Sequence, residues 1–168
     1  MSRSSVRVAF FKGKGGIVHS IVRWWTSSIY SHAELILPDQ KTWVTISPFF
    51  NSRVSLRVRS IDPNDSDWDF VELPLSWRGS VREYQLSQLN TFVQRTRGLR
   101  YDWVGMMLSQ ISPFLVKRRD AWYCSEWIAH ALVKSRILSW DYARIYDTPN
   151  MSPGKLHGLL SGHIPSYK

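Results

Sequence analysis

The hydrophobic periodicity of the chain changes between Leu73 and Glu83, and this change limits the folds that the sequence can adopt. Before it, apart from one short segment of helical spacing at Ile17–Trp25, apolar residues alternate with polar ones or form short runs, which is typical of β-strands. After it, apolar residues recur at helical spacing. The predicted strands are Val6–Phe11, Ser31–Leu37, Thr42–Ser47, Arg53–Arg59 and Trp68–Leu73. The predicted helices are Ile17–Trp25, Glu83–Arg97, Tyr101–Ile111, Asp120–Leu138 and Ser152–Leu160.

Turn and cap signals support this division of the chain. Pro38-Asp39 separates two β-rich runs, which predicts a hairpin. Gly98 follows the first long helix at the position of a C-terminal cap, and Ser112-Pro113 ends the next one. Neither a linker nor an internal repeat divides the 168 residues. We therefore predict one α+β domain, residues 1–168, in which an antiparallel sheet packs against helices.

The net charge of +9, from 22 basic and 13 acidic residues, favours polyanionic surroundings such as nucleic acid, anionic lipid or bacterial wall polymers. A solvated basic surface would give the same balance. The sequence contains no recognised nucleic-acid motif. It also lacks the long apolar run of a signal peptide or a membrane span, so we expect a soluble protein whose location the sequence leaves undetermined.

Cys124 is the only cysteine, which excludes an internal disulfide framework, a Cys-based zinc finger and a CxxC redox pair. It falls near the start of a predicted helix, where free backbone N–H groups and the helix dipole favour an anion. A thiol in this position becomes a nucleophile when its pKa falls toward neutrality. The alternative is a buried cysteine that only fills space.

His32 is the histidine best placed to serve as a base for Cys124. His130 lies six positions further along the same predicted helix and cannot reach the thiol, whereas His32 lies on a rigid predicted strand. Glu34 projects from the same face of that strand and could orient the imidazole, or pair with an arginine instead. On the next strand, Thr45 and Ser47 are alternatives for the orienting role. Neither HExxH nor another clustered ligand spacing occurs, so we predict no metal and no cofactor.

Three segments carry a resemblance to a known family: Ser31-His-Ala-Glu-Leu35, Tyr101-Asp-Trp103 and Trp122-Tyr-Cys-Ser-Glu-Trp127. Together they resemble the circularly permuted branch of the NlpC-type, papain-like cysteine peptidases, which includes YiiX-like and lecithin retinol acyltransferase-like proteins. That branch places the histidine strand before the cysteine helix, and here His32 precedes Cys124 by 92 residues. The segment Ser152-Pro-Gly-Lys-Leu156 is similar to small phage-encoded members.

The resemblance implies a permuted papain-like fold in which Cys124 attacks a carbonyl and His32 acts first as base and then as acid. Glu34 would be the third catalytic residue, although family members commonly place this residue on the following strand. Tyr101 and Ser125 would bind substrate. The implied substrate is an amide bond in peptidoglycan stem peptides, and the implied setting is a virion, with other virion proteins as partners, or the host cytoplasm.

Two alternatives remain open from the sequence. The same thiol and imidazole would serve an acyltransferase or esterase acting on lipids or thioesters. A non-catalytic virion protein could retain the fold without turnover, and it would use its tryptophans and basic groups for contacts with other macromolecules.

Overall fold

The computed structural model describes residues 5–47, 50–62, 64–101, 121–139 and 151–163. Its strands are β1 (Ser5–Phe11), β2 (His32–Ile36), β3 (Thr42–Ser47), β4 (Phe50–Val58), β5 (Trp68–Pro74), β6 (Arg100–Tyr101) and β7 (Ala121–Trp122). Its helices are α1 (Ile17–Thr26), α2 (Gly79–Thr96), α3 (Cys124–Lys134) and α4 (Pro153–His163). The predicted α+β class is confirmed.

Five antiparallel strands form the main sheet in the order β5-β1-β2-β3-β4, and the short strands β6 and β7 extend it beyond β4. The predicted hairpin of β2 and β3 is present, but their ladder covers only Leu35 with Val44 and Ile36 with Trp43. The pairing of β2 with β1, in contrast, runs along the whole strand, from Ile36 to His32. The first half of β2 therefore lies in the sheet on one side only.

The two faces of the sheet have different roles. Alternate residues such as Val8, Phe10 and Leu35 face the helices and join α3 in one large buried cluster. The same cluster takes in Trp127 of α3, and burying a large apolar side chain of this kind contributes about 1.5–3 kcal/mol to folding. The opposite face carries a smaller cluster around Trp43. Helix α3 packs directly on β2 and β3, which brings its first residue close to the start of β2.

The starts of two predicted helices, Tyr101–Ile111 and Asp120–Leu138, were wrong. The helix predicted for Asp120–Leu138 begins only at Cys124, because Ala121–Trp122 pairs as β7 with β6. Tyr101, predicted to open a helix, lies in β6, and the rest of that predicted helix falls outside the described residues. Strand pairing overrides the local helical pattern in both cases. As a result, Cys124 becomes the first residue of α3.

The other predicted helix boundaries differ less from those in the structure. Helix α2 begins at Gly79 rather than at the predicted Glu83. Gly98 adopts a φ of 83°, the left-handed conformation that suits the predicted glycine cap. None of the helices described is long and apolar enough to cross a lipid bilayer.

Candidate active site

The start of α3 exposes backbone N–H groups to the thiol of Cys124. The N-cap residue, Tyr123, is extended and makes no capping side-chain hydrogen bond; its hydroxyl accepts the N–H of Met151 at 3.0 Å instead. The first hydrogen bond of the helix runs from the N–H of Trp127 to the carbonyl of Tyr123. The N–H of Ser125, in the first turn of the helix, donates to the sulfur.

The first half of β2 supplies the other neighbours of the sulfur. His32, Ala33 and Glu34 have no ladder partner on β3, and the backbone N–H of Ala33 donates to Cys124 Sγ. The His32 side chain, 12% exposed, hydrogen-bonds to the same thiol. Strand β2 and the start of α3 therefore hold thiol and imidazole in contact.

The electrostatics of this contact favour an ion pair. Burial by itself would raise the pKa of Cys124, but the charge of His32 and its hydrogen bond, together with the two backbone N–H groups, lower that pKa below its ordinary value. Burial would lower the pKa of His32, but the thiolate and Glu34 outweigh it and raise this pKa to about 10. Both shifts favour the thiolate–imidazolium form of the pair over the neutral thiol and imidazole.

Glu34 holds the far side of the imidazole. Its Oε1 lies 3.2 Å from Nε2 of His32, and its side chain is only 2% exposed. Thr45 Oγ1 lies 3.3 Å from the same nitrogen. Since Nε2 is occupied by these oxygens, Nδ1 is the ring nitrogen available to Cys124.

Arg57, on β4, keeps the Glu34 carboxylate ionised. Its Nη2 donates to both carboxylate oxygens at 2.7 Å, and its Nε donates at 3.1 Å. Burial would raise the pKa of Glu34, but the hydrogen bond and charge of His32, followed by those of Arg57, lower it. Charge therefore alternates along a row of four groups: Cys124, His32, Glu34 and Arg57.

A cavity of about 350 Å³ opens on the imidazole and the carboxylate of this row. Its walls include Arg59, which lies 5.1 Å from the ring of Trp43 and 5.4 Å from that of Trp68 and forms an ion pair with Asp65 at 2.9 Å. The full lining comprises Phe11, His19, His32, Glu34, Ser47, Arg57, Arg59, Asp65, Asp67 and Trp68. Cys124 is absent from that lining and is 5% exposed, so a substrate in this cavity meets His32 before the sulfur.

A second histidine, His19 of α1, also faces the cavity. Its Nδ1 lies 2.8 Å from Ser31 Oγ, and its ring packs edge-on against Phe11. Burial lowers the pKa of His19, and the positive charges of His32 and Arg23 lower it further. The cavity therefore contains a neutral imidazole beside a protonated one.

The structure brings together Cys124, His32 and Glu34, the three residues predicted to be catalytic. Ser125, predicted to bind substrate, is fully buried, and its hydroxyl donates to the carbonyl of Met151. The side chain of Ser125 therefore anchors α3, and only its backbone reaches the thiol. Tyr101 lies in β6, and its side chain is outside the described part of the structure.

Sequence reasoning missed Arg57 and left His19 outside the site. The alternation of apolar and polar residues in β4 placed Arg57 on the polar face of the sheet. Its pairing with Glu34 depends on the registers of β2, β3 and β4, which the sequence of one strand does not show. His19 had no signal beyond its place on a short amphipathic helix. In the described segments, no group of three His, Cys, Asp or Glu side chains is arranged to hold a metal ion.

Comparisons of the chain with protein-family models, with curated proteins and with solved structures found no match.

Proposed function

We propose that the protein is a cysteine hydrolase that cleaves an amide bond, with Cys124 as nucleophile and His32 as general base and acid. The observation that carries this proposal is the contact between a cysteine at a helix N-terminus, whose pKa is lowered, and an imidazole held by a buried carboxylate. A cysteine that only fills space has no need of either partner.

Acylation would begin with attack of the Cys124 thiolate on the substrate carbonyl carbon. A carbon–sulfur bond forms, and the negative charge moves to the carbonyl oxygen, which backbone N–H groups at the start of α3 would stabilise. The carbon–nitrogen bond then breaks. The departing amine takes its proton from the His32 imidazolium and leaves a thioester on Cys124.

Deacylation would reverse these proton movements. A water molecule loses a proton to the now neutral His32 and attacks the thioester carbon. The carbon–sulfur bond breaks, a carboxylic acid leaves, and the thiolate–imidazolium pair is restored. Glu34 keeps the imidazole in the orientation and charge state that both steps need, and Arg57 keeps Glu34 charged.

The permuted papain-like fold is part of the same proposal. It is supported by the order of the elements, since the histidine strand β2 precedes the cysteine helix α3 and both pack together. The proposed substrate, an amide of a peptidoglycan stem peptide, rests on the family resemblance and suits the net charge of +9, because bacterial walls are anionic.

The ionisation of Cys124 tests the proposed pair directly. We would measure the rate of alkylation by iodoacetamide from pH 4 to 10 in the wild type, in His32→Ala and in His130→Ala, whose histidine lies on α3 away from the thiol. We expect a midpoint well below the ~8.5 of a free cysteine in the wild type and in His130→Ala, and loss of this shift in His32→Ala. An ordinary midpoint in all three proteins would overturn the thiolate–imidazolium pair.

Product analysis tests the bond. Incubation with stem-peptide fragments should release a new amine in an amount equal to the carboxylate formed, and Cys124→Ala should release none. Transfer or release of an acyl chain from a lipid or a thioester, with intact stem peptides, would replace the amidase by an acyltransferase or esterase. A reactive thiol without turnover of any of these substrates would favour the non-catalytic virion protein.

A further inference from the structure

We propose that His19 holds the water molecule that attacks the acylated Cys124, so that hydrolysis depends on a second histidine. This inference rests on the proposed function, in which water cleaves a thioester on Cys124. His19 belongs to α1 and lines the same cavity as His32. Acylation uses Cys124 and His32, and it gives this second imidazole no part.

Three contacts fix the ring of His19 beside His32. Its Nδ1 lies 2.8 Å from the hydroxyl oxygen of Ser31, the residue directly before His32. The ring of Phe11 packs edge-on against it, with 5.0 Å between the centroids. Gly15 lies so close that a Cβ there would come within 2.3–2.8 Å of Cδ2, Cγ and Cβ of His19. A ring held on these sides keeps one orientation toward the cavity.

The hydrogen bond with Ser31 determines which ring atom of His19 serves the cavity. Ser31 is 8% exposed, and within the described residues the ring of His19 is the only partner of its hydroxyl. The hydroxyl therefore donates to Nδ1, which places the ring hydrogen on Nε2. Since Nδ1 bonds to Ser31 and Cδ2 packs on Gly15, Nε2 is the hydrogen-bonding atom that can face the cavity.

His19 stays neutral beside the positive charge of His32. Burial lowers the pKa of His19, and the charges of His32 and Arg23 lower it further. A neutral ring donates through Nε2 to the oxygen of a water molecule, and that oxygen keeps a lone pair for attack on the carbonyl carbon. The water then gives its proton to Nδ1 of His32, as deacylation requires.

The cavity offers water a path that passes both histidines. Cys124 is 5% exposed and lies outside the lining, to which His19 and His32 belong. Water that enters through the cavity therefore meets the two imidazoles before it meets a thioester on the sulfur. Loss of an orienting contact with a nucleophile costs on the order of tenfold to 100-fold in rate.

The reagent p-nitrophenyl acetate separates acylation from deacylation and needs no knowledge of the natural substrate. The Cys124 thiolate attacks the acetyl carbon, and p-nitrophenolate leaves with the electron pair of the broken carbon–oxygen bond. Water then releases acetic acid and restores the thiol. The burst of p-nitrophenolate measures acylation, and the steady rate that follows measures deacylation. Cys124→Ala should give no burst.

We expect His19→Ala to keep the burst and to lose about tenfold or more in the steady rate. An acetyl group should accumulate on Cys124, which the mass of the intact chain would show. Hydroxylamine attacks a thioester without a positioned base, so adding it should bring His19→Ala to the rate of the wild type. His157→Ala, which removes a histidine of α4 outside the cavity lining, should behave as the wild type.

Gly15→Ala displaces the ring of His19 without removing it. The new methyl group would overlap the His19 side chain, so the steady rate should fall as in His19→Ala while the burst remains. Gly16→Ala is the matched control, because a Cβ at Gly16 meets nothing within 4 Å. We expect this control to keep both the burst and the steady rate of the wild type.

Equal steady rates in the wild type and His19→Ala would overturn the inference, and so would a burst slowed as much as the steady rate. The midpoint of Cys124 alkylation should not change in His19→Ala, which also shows that the variant is folded. A raised midpoint would mean that His19 supports the thiol pair instead of the water. A wild type with neither a burst nor a low midpoint would count against the proposed function itself and, with it, against this inference.

Discussion

Two histidines lie near carboxylates on opposite faces of the same sheet, and only one of them becomes an imidazolium. On one face, His32 contacts Glu34 and the Cys124 thiolate, and its pKa rises to about 10. On the helix-facing side, His157 of α4 lies near Asp69, yet burial lowers its pKa, the nearby Lys12 adds to this, and Asp69 only partly opposes it.

The difference lies in what each carboxylate already binds. Asp69 pairs with Lys12 at 2.6 Å and accepts the Tyr30 hydroxyl at 2.7 Å, and His157 reaches it only through that hydroxyl, at 3.2 Å. Glu34 bonds to His32 directly, and the thiolate supplies a second negative charge. A carboxylate nearby therefore does not make a catalytic histidine; direct contact and a second anion do.

The largest expected effect on the rate of amide hydrolysis comes from replacing the thiol, which is present only in the His32 cluster. Cys124→Ser should lower amide hydrolysis on the order of 10⁴-fold or more, because the hydroxyl is not ionised by His32. Tyr30→Phe, which removes the hydroxyl between Asp69 and His157, should change the rate by no more than about twofold. Amine release under identical conditions measures both. An equal loss in Tyr30→Phe would mean that the second cluster belongs to the catalytic machinery.

The second-largest expected effect distinguishes the carboxylate of Glu34 from that of Asp69. Glu34→Gln keeps an oxygen for His32 but removes the charge, so kcat/KM should fall about 100-fold, and the alkylation midpoint of Cys124 should rise. Asp69→Asn should leave both quantities unchanged. The shift in alkylation midpoint identifies a positioning residue, since loss of stability alone would not move it. An unchanged midpoint in Glu34→Gln would contradict the role proposed for this carboxylate.

The smallest effect concerns stability. Because the pKa of His32 is raised from 6.5, its contribution to the free energy of unfolding is complete below pH 6.5. This contribution is lost as the pH rises through about 10. The pKa of Cys124 is lowered from 9.0, so its contribution is complete above pH 9.0 and is lost as the pH falls through the lowered value. Below pH 9.0 the two slopes oppose each other wherever both groups titrate, and above pH 9.0 only the loss of the His32 contribution remains.

Thermal unfolding of the wild type and His32→Ala at several pH values would measure this. The difference in Tm should be larger at pH 8.5 than at pH 10.5, where it shrinks on the order of 2–4 °C for each kcal/mol lost. The difference between wild type and His157→Ala should not change between pH 7.5 and 10.5, because the pKa of His157 lies below this range. A constant difference for His32→Ala as well would contradict its raised pKa.

Much of this molecule could be predicted from local patterns, because strands and helices leave strong periodic signals. The alternation in β4 and the apolar stripe of α3 are visible in the sequence alone. Local patterns could not give the start of α3, since β7 exists only through its pairing with Arg100 and Tyr101 of β6. That error of four residues matters, because it decides whether Cys124 meets free N–H groups or lies inside a helix.

The site was predictable as far as it depends on one strand. His32 and Glu34 share a face by their spacing of two, and the structure places them in contact. Arg57 joins them through the registers of β2, β3 and β4, which no single segment encodes. The exposure of Ile17, Ile21 and Trp24 on α1 was equally hidden, because periodicity predicts an apolar stripe but not the direction in which it faces.

The solitary cysteine also sets how this site responds to oxidation. A thiolate attacks the O–O bond of peroxide and becomes a sulfenic acid, which a neighbouring thiol can convert to a disulfide. With one cysteine in 168 residues, Cys124 has no resolving partner within the chain, and rescue must come from a small thiol outside it. Burial of the sulfur behind His32 is then its main protection against oxidation. Since the chain has one thiol, the amount of alkylating reagent that it takes up equals the amount of Cys124 that is still reduced.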